Sequence, residues 1–292
     1  MFRKAILIAP LLGAAALAGQ AHAHAGAGEK DIARQTALGG SCVGCDLSGK
    51  KLVGAVISGG NFTRAVLVSA DLRHATVRST SFVGSDFSRA DLRSATILDG
   101  NFTKAVFAKA RLEGIEAPGA QFSFADFTGA NLNAAELPGA NFTKGVLSHA
   151  SLNSAEMQGV NLSFADATAA SFNGAELTGA QMTKGNFVRA SFRSADMTGA
   201  NLAFADFTGA DMRGADLSYA QIAGANFSGA RMTQDQLDEA CGDSRTVLPR
   251  GLVAKGCGGR TVHIRIPEIN VRVRVPMSPK PPAPPKPPRP PG

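Results

Sequence analysis

From Leu47 to Leu237 every fifth residue is Leu, Phe, Ile, Val or Met, with Ala117 and Ala167 as the exceptions. Two residues before each of them sits a small residue, usually Ala, as at Ala70, Ala125, Ala165 and Ala210. A period of five matches neither a helix nor the alternation of a flat strand. Units this short cannot bury an apolar face alone, so the pattern predicts stacked turns that share one core.

The pentads read Phe-Ala-Asp-Phe-Thr at 124–128, Gly-Ala-Asn-Phe-Thr at 139–143 and Gly-Ala-Asp-Leu-Ser at 214–218. The pattern resembles the pentapeptide repeat family, here as a secreted or periplasmic member. That resemblance implies an all-β solenoid, a right-handed quadrilateral β-helix with four pentads per coil. The large and small residues point inward and the other three face solvent. About 10 coils at about 4.8 Å each give a rod roughly 47 Å long. Short helical caps are expected at its ends. Thr233-Gln234-Asp235-Gln236 reads as a capping box, with Gly242 as the helix stop. A second short helix is expected over Asp31–Leu38.

Residues 20 apart then stack, and the chain sorts into columns. Phe62 to Phe142, Phe87 to Phe127 and Leu52 to Leu152 form inner columns. In Ile115-Glu116-Ala117 the large and small inward residues are exchanged, which conserves core volume. Ala167 has no such exchange, and an underpacked spot is expected there. Outside, an amide column (Asn61, Asn101, Gln121, Asn141, Asn161, Gln181, Asn201, Gln221) is expected to hydrogen-bond along the rod. Gly119 to Gly199 mark a corner that needs positive φ.

Two further columns are candidate sites. Lys104, Phe124, Lys144, Phe164, Lys184 and Phe204 alternate cation and ring, a two-coil superperiod suited to cation–π contact. It reads either as the residue of a duplication that keeps the rings soluble, or as a docking strip for an anionic or aromatic partner. This corner is expected to use a different turn from the glycine corner. Glu116, Glu136, Glu156, Glu176, Asp196 and Asp216 form an acidic column. Its readings are solvated repulsion, weak divalent-cation binding at the four glutamates, or docking of the chain's own basic strand. Arg193 and Arg213 are expected to relieve Asp196 and Asp216.

What flanks the repeats sets the compartment. Arg3 and Lys4 precede an apolar run from Ala5 to Ala18 and the cleavage-like Ala21-His22-Ala23, so residues 1–23 read as a signal peptide. The run is short for a membrane span. No later segment is apolar enough to serve as one, and periplasmic or secreted localisation is expected. Residues 24–41 read as an N-terminal linker or cap, 42–237 as the solenoid and 238–260 as a C-terminal cap. Cysteines occur as one pair at each end: Cys42 with Cys45, and Cys241 with Cys257. Cys42 and Cys45 fall at two inward positions flanking one corner, which predicts a disulfide plugging that end; Cys241–Cys257 is expected to staple the last loop. The solenoid holds the pairs apart, which argues against a zinc site. No βαβ pattern supports a redox role for Cys42-Val43-Gly44-Cys45, and no His follows Cys45 for haem attachment.

Residues 261–275 alternate apolar residues with His263, Arg265, Arg272 and Arg274, a basic β-strand signature. Residues 276–292 form a Pro-rich cationic tail, expected to be extended and disordered. Charge divides accordingly: residues 251–292 carry net +7, and residues 24–250 carry net −2. The tail is therefore expected to meet an anionic surface or an acidic protein, with no nucleic acid as partner.

No catalytic set, metal cluster or phosphate loop is recognisable, and no cofactor is expected. His74, His149 and His263 share no column. The preferred reading is a non-catalytic exported scaffold or interaction protein with a tethering tail. The alternative is a purely structural solenoid whose basic strand packs on its own acidic column. A polysaccharide-active enzyme ranks lower, since the chain has one Tyr and no Trp. So does a DNA-mimic that protects gyrase, as some family members do, because that role needs a strongly acidic cytoplasmic rod.

Overall fold

The computed structural model describes residues 40–257 and the backbone of Ala37–Leu38. The expected signal peptide, the basic strand with Arg265, Arg272 and Arg274, and the Pro-rich tail lie outside the described residues. Residues 40–257 form a right-handed quadrilateral β-helix. One ladder of parallel bridges runs Ser41, Asn61, Ser81, Asn101, Gln121, Asn141, Asn161, Gln181, Asn201, Gln221, Cys241, each step 20 residues. Four pentads thus make each coil. Most sides are single bridges because a pentad leaves few extended residues between corners. On one side β1 (Ala37–Leu38), β2 (Val56–Ser58), β3 (Thr76–Arg78) and β4 (Thr96–Leu98) pair as a continuous four-stranded parallel sheet. Ala37–Leu38 pairs with Val56–Ile57. Of the helix expected over Asp31–Leu38, only Ala37–Leu38 are described, and these two residues are strand, because an open sheet edge offers their backbone pairing partners; residues 31–36 lie outside the described residues.

The pentad motif follows from donor accounting. At the corner after Phe62, the Phe62 amide donates to Ser81 (2.7 Å), the Arg64 amide to Val83 (2.9 Å) and the Ala65 amide back to Phe62 (3.0 Å). The Thr63 amide has no carbonyl and donates to Asn61 Oδ1 at 3.1 Å. The same bond recurs from Ser88 to Asp86, Thr103 to Asn101, Thr128 to Asp126 and Thr208 to Asp206. Asn and Asp occupy this position because their short side chains cap the one amide that the coil leaves over. The amide column is thus chiefly a row of corner caps. Rungs along the rod form at Asn141–Gln121 (3.1 Å) and Asn201–Gln181 (3.4 Å).

The large and small inward residues fill the interior. Phe82, Phe102 and Phe122 stack at 5.2 and 5.3 Å between centroids, and Phe107 and Phe127 at 4.6 Å on the next side. The exchanged pair Ile115 and Ala117 are both fully buried. Ala167 interrupts the ring stacks, but its own coil carries Phe172 where earlier coils carry Leu52 to Leu152. Phe172 is fully buried and sits edge-on to Phe187 at 6.3 Å. The coil with the smaller inward residue at Ala167 thus carries a larger one at Phe172. Two small positions are polar and satisfied: buried Ser85 donates to the Phe62 carbonyl at 2.7 Å, and buried Thr80 to Arg78 at 2.8 Å.

Both ends are stapled. Cys42–Cys45 spans 5.3 Å between Cα atoms and packs against the first coil, and Cys241–Cys257 spans 4.8 Å. The C-terminal helix shrinks to one 3-10 turn, Asp235–Leu237. The Thr233 amide donates to Gln236 Oε1 at 2.9 Å, while Gln236 Nε2 donates to the carbonyls of Met212 (2.6 Å) and Ala215 (2.7 Å). One glutamine thus serves both the cap and the last coil, and this anchoring leaves no room for a longer helix. Gly242 is no helix stop: Cys241–Gly242 (β5) pairs with Lys255–Gly256 (β6). Among the described residues no helix is long and apolar enough to cross a membrane.

Candidate functional site: a cation and ring corner

Every corner carries a residue at positive φ two positions after the large inward residue, glycine or not. Lys104 (61°), Phe124 (61°), Lys144 (58°), Phe164 (60°), Lys184 (57°) and Phe204 (60°) all lie in the left-handed region. The Lys/Phe corner therefore uses the same turn as Gly119 to Gly199, contrary to the expectation of a different one. The closing bond of the coil imposes that geometry whatever the side chain. No β-branched residue occupies such a site among the described residues, in keeping with the steric cost of positive φ.

From Phe124 to Lys184 the column is in contact, while Lys104 and the Lys184–Phe204 step show no cation–ring contact among the described residues. Lys144 Nζ lies 5.3 Å from the Phe124 centroid and 5.9 Å from that of Phe164, and Lys184 Nζ lies 5.5 Å from Phe164. The three rings remain 50, 49 and 45% exposed, where the inward phenylalanines are buried. Arg245, which the periodicity did not single out, closes the strip with its guanidinium 4.8 Å from Phe204. It arrives there because the pairing step widens to 21 residues at Asn226–Val247. The extra residue is taken up in a turn in which the Asp243 amide donates to Thr246 Oγ1 at 2.9 Å. Arg245 Nε then pairs with Asp243 at 2.9 Å. This pairing, opposed by partial desolvation and aided by the amides of Arg245 and Gly224, holds the Asp243 carboxyl down at about 2. Gly224 beneath is doubly required: φ is +67°, and a Cβ there would meet the Phe204 ring at 2.7 Å.

The acids on the adjoining side do not neutralise the lysines. Asp126, Asp166 and Asp206 turn to Thr128, Thr168 and Thr208, whose hydroxyls donate at 2.6, 2.6 and 2.5 Å. Asn186 Nδ2 also donates to Asp166 (3.1 Å) and Asn226 Nδ2 to Asp206 (3.3 Å). Among the described residues, Lys104, Lys144 and Lys184 form no ion pair.

The acidic column lies on another side. Glu116, Glu136, Glu156 and Glu176 bridge successively through their backbones. Among the described residues no three His, Cys, Asp or Glu side chains are grouped to hold a metal. Thr96 Oγ1 donates to Glu116 at 3.3 Å and Gln158 donates to Glu176. Arg193 and Arg213 do not relieve Asp196 and Asp216 as expected. Both reach Asp211, at 2.6 and 2.7 Å: Arg213 lies two residues on from it, and Arg193 stacks one coil before Arg213. The Arg213 hydrogen bond, with Arg193 beyond it, holds Asp211 well below the usual carboxylate range. Asp196 is partly desolvated, yet bonds from Thr198 and Thr178 keep it below its ordinary value. His74 and His149 lie on different corners, and His263 is outside the described residues.

The family model for pentapeptide repeats matches in eight copies, over residues 41–84, 70–107, 85–116, 105–143, 120–159, 155–193 and 195–234. No curated protein shows a significant match. Among solved structures, HetL, a pentapeptide repeat protein involved in heterocyst differentiation regulation from the cyanobacterium Nostoc, is 26% identical; the match covers 68% of this chain and 92% of that one, with a TM-score of 0.33. A trypsin-treated form of QnrB1, a plasmid-mediated fluoroquinolone resistance protein, is 20% identical over 76% of this chain and 91% of its own, with a TM-score of 0.44. With matches spread over most of residues 41–234, the chain belongs to the pentapeptide repeat family.

Proposed function

We propose that the protein is an exported, non-catalytic interaction scaffold, in which a rigid solenoid presents fixed columns of side chains and a cationic segment tethers it to an anionic surface. The division of charge carries this reading: residues 251–292 hold net +7, whereas residues 24–250 hold net −2. Positive charge concentrated in one stretch of the sequence, with a near-neutral remainder, attracts polyanions without drawing the whole solenoid onto them. Members of this family are in general structural or interaction proteins, and the filled interior suits that role. The surface would be lipopolysaccharide, an acidic cell-wall polymer or an acidic protein outside the cytoplasm.

The test compares binding of the mature protein to lipopolysaccharide vesicles with that of a chain ending at Arg260, at low and moderate salt. Salt-sensitive binding that disappears with the segment supports the tether. Unchanged binding, or a loss of thermal stability in place of a loss of binding, would overturn it.

A further inference from the structure

We infer that the Lys/Phe corner is a binding strip for a linear acidic polysaccharide whose repeating unit is a disaccharide bearing one carboxylate. This goes beyond the tether, because it assigns a separate surface on the solenoid and requires neither the tail nor export.

Backbone cost comes first. The same corner column holds glycine at Gly84 and Gly224, where the left-handed conformation is free of strain. At Phe124, Phe164 and Phe204 a bulky ring takes that conformation and is left about half exposed. Core packing does not account for rings that stand outside the coil. Because the coil imposes this φ at every corner, it is the exposure of the three rings, where the column elsewhere accepts glycine, that points to a role for the side chains themselves.

Spacing and charge then select the ligand. Rings recur every second coil, and two strand layers of about 4.8 Å place them roughly 10 Å apart. A β-linked disaccharide in an extended chain, two pyranose rings end to end, has about the same length. The apolar face of one sugar in each repeat therefore meets a ring. Lys144 and Lys184 stand between the rings, and they lack a carboxylate of their own. One cation per ring matches one carboxylate per disaccharide. A single-stranded nucleic acid also offers flat groups and anions. It carries a phosphate at every nucleotide, however, so its charge and stacking period are shorter than two coils. Arg245 over Phe204 extends the alternation to the C-terminal end of the strip.

The test uses the full chain and the triple variant F124G/F164G/F204G. Glycine is already accepted at this corner, so the variant folds without new strain. Hyaluronan oligosaccharides, with one carboxylate per disaccharide, are the probe; chitin oligosaccharides and oligothymidylate are the comparisons. Binding is measured by calorimetry, with circular dichroism confirming the fold. The expected result is hyaluronan binding that weakens about tenfold or more in the triple variant, with chitin oligosaccharides weaker than hyaluronan. Equal hyaluronan affinity in the two proteins would overturn the inference and assign any binding to the tail. Absence of hyaluronan binding, or tighter ring-dependent binding of oligothymidylate, would overturn it as well. The tether can fail in its own test while this ring-dependent difference persists, so the two readings are separable.

Discussion

Phe164 offers a test of how this solenoid turns its corners. Its φ is 60° and its ring is 49% exposed between Lys144 and Lys184. Replacing it by alanine or by glycine removes the same ring and the same two cation contacts, worth about 0.5–1 kcal/mol each. The loss cancels when the two variants are compared, and the backbone term is left. An L-residue in the left-handed region costs about 1–2 kcal/mol. Glycine avoids that cost but gives up about 0.5–1 kcal/mol of chain entropy. Phe164→Gly should therefore exceed Phe164→Ala in stability by up to roughly 1.5 kcal/mol, about 1 at mid-range. At a corner of ordinary φ the order would be the reverse. Urea melts of both variants, compared at equal slope, read the difference directly. A thermal midpoint about 2–4 °C higher for the glycine variant is the equivalent in a domain of this size. A midpoint for Phe164→Ala equal to or above that of Phe164→Gly would refute the left-handed corner.

Other consequences are as direct. Phe102→Ala opens the continuous ring stack between Phe82 and Phe122 and should cost about 3–5 kcal/mol in denaturant melts. Ser85→Ala should cost no more than about 1 kcal/mol, because the Phe62 carbonyl it serves keeps the Ala65 amide at 3.0 Å. Reducing Cys241–Cys257, separated by 16 residues, should lower the stability of the C-terminal end by about 3 kcal/mol; hydrogen exchange would locate the loss there. Asp243 has a depressed folded pKa of about 2, so its contribution is complete above its unfolded value of about 3.9 and is lost as pH falls through about 2. The Gly224 amide, which donates to Asp243 at 2.8 Å, should lose exchange protection over that interval relative to intrinsic rates. Asp243→Asn should abolish the dependence.

Much of this was legible because the repeat is strictly local. A large residue every fifth position and a small one two before it specify which side chains enter the core, and once four pentads make a coil every column follows. The ring stacks, the cation and ring alternation and the cysteine pairs at the ends could therefore be placed by counting. Backbone conformation could not. Nothing in a lysine or phenylalanine advertises positive φ; the hydrogen bond that closes each corner demands it, and Lys104 and Phe124 comply as Gly119 does. The role of the Asn and Asp column likewise depended on which amide the coil leaves unpaired. Charge partners were misassigned for a related reason. Sequence spacing placed Arg193 and Arg213 near Asp196 and Asp216, while the flat side of the coil gave both to Asp211. Arg245 reached Phe204 through a one-residue insertion that broke the count. Periodic burial, which each pentad repeats, was determined by the sequence alone; pairings across coils and turns at the end of the repeat were decided only in three dimensions, where hydrogen-bond geometry competes with spacing.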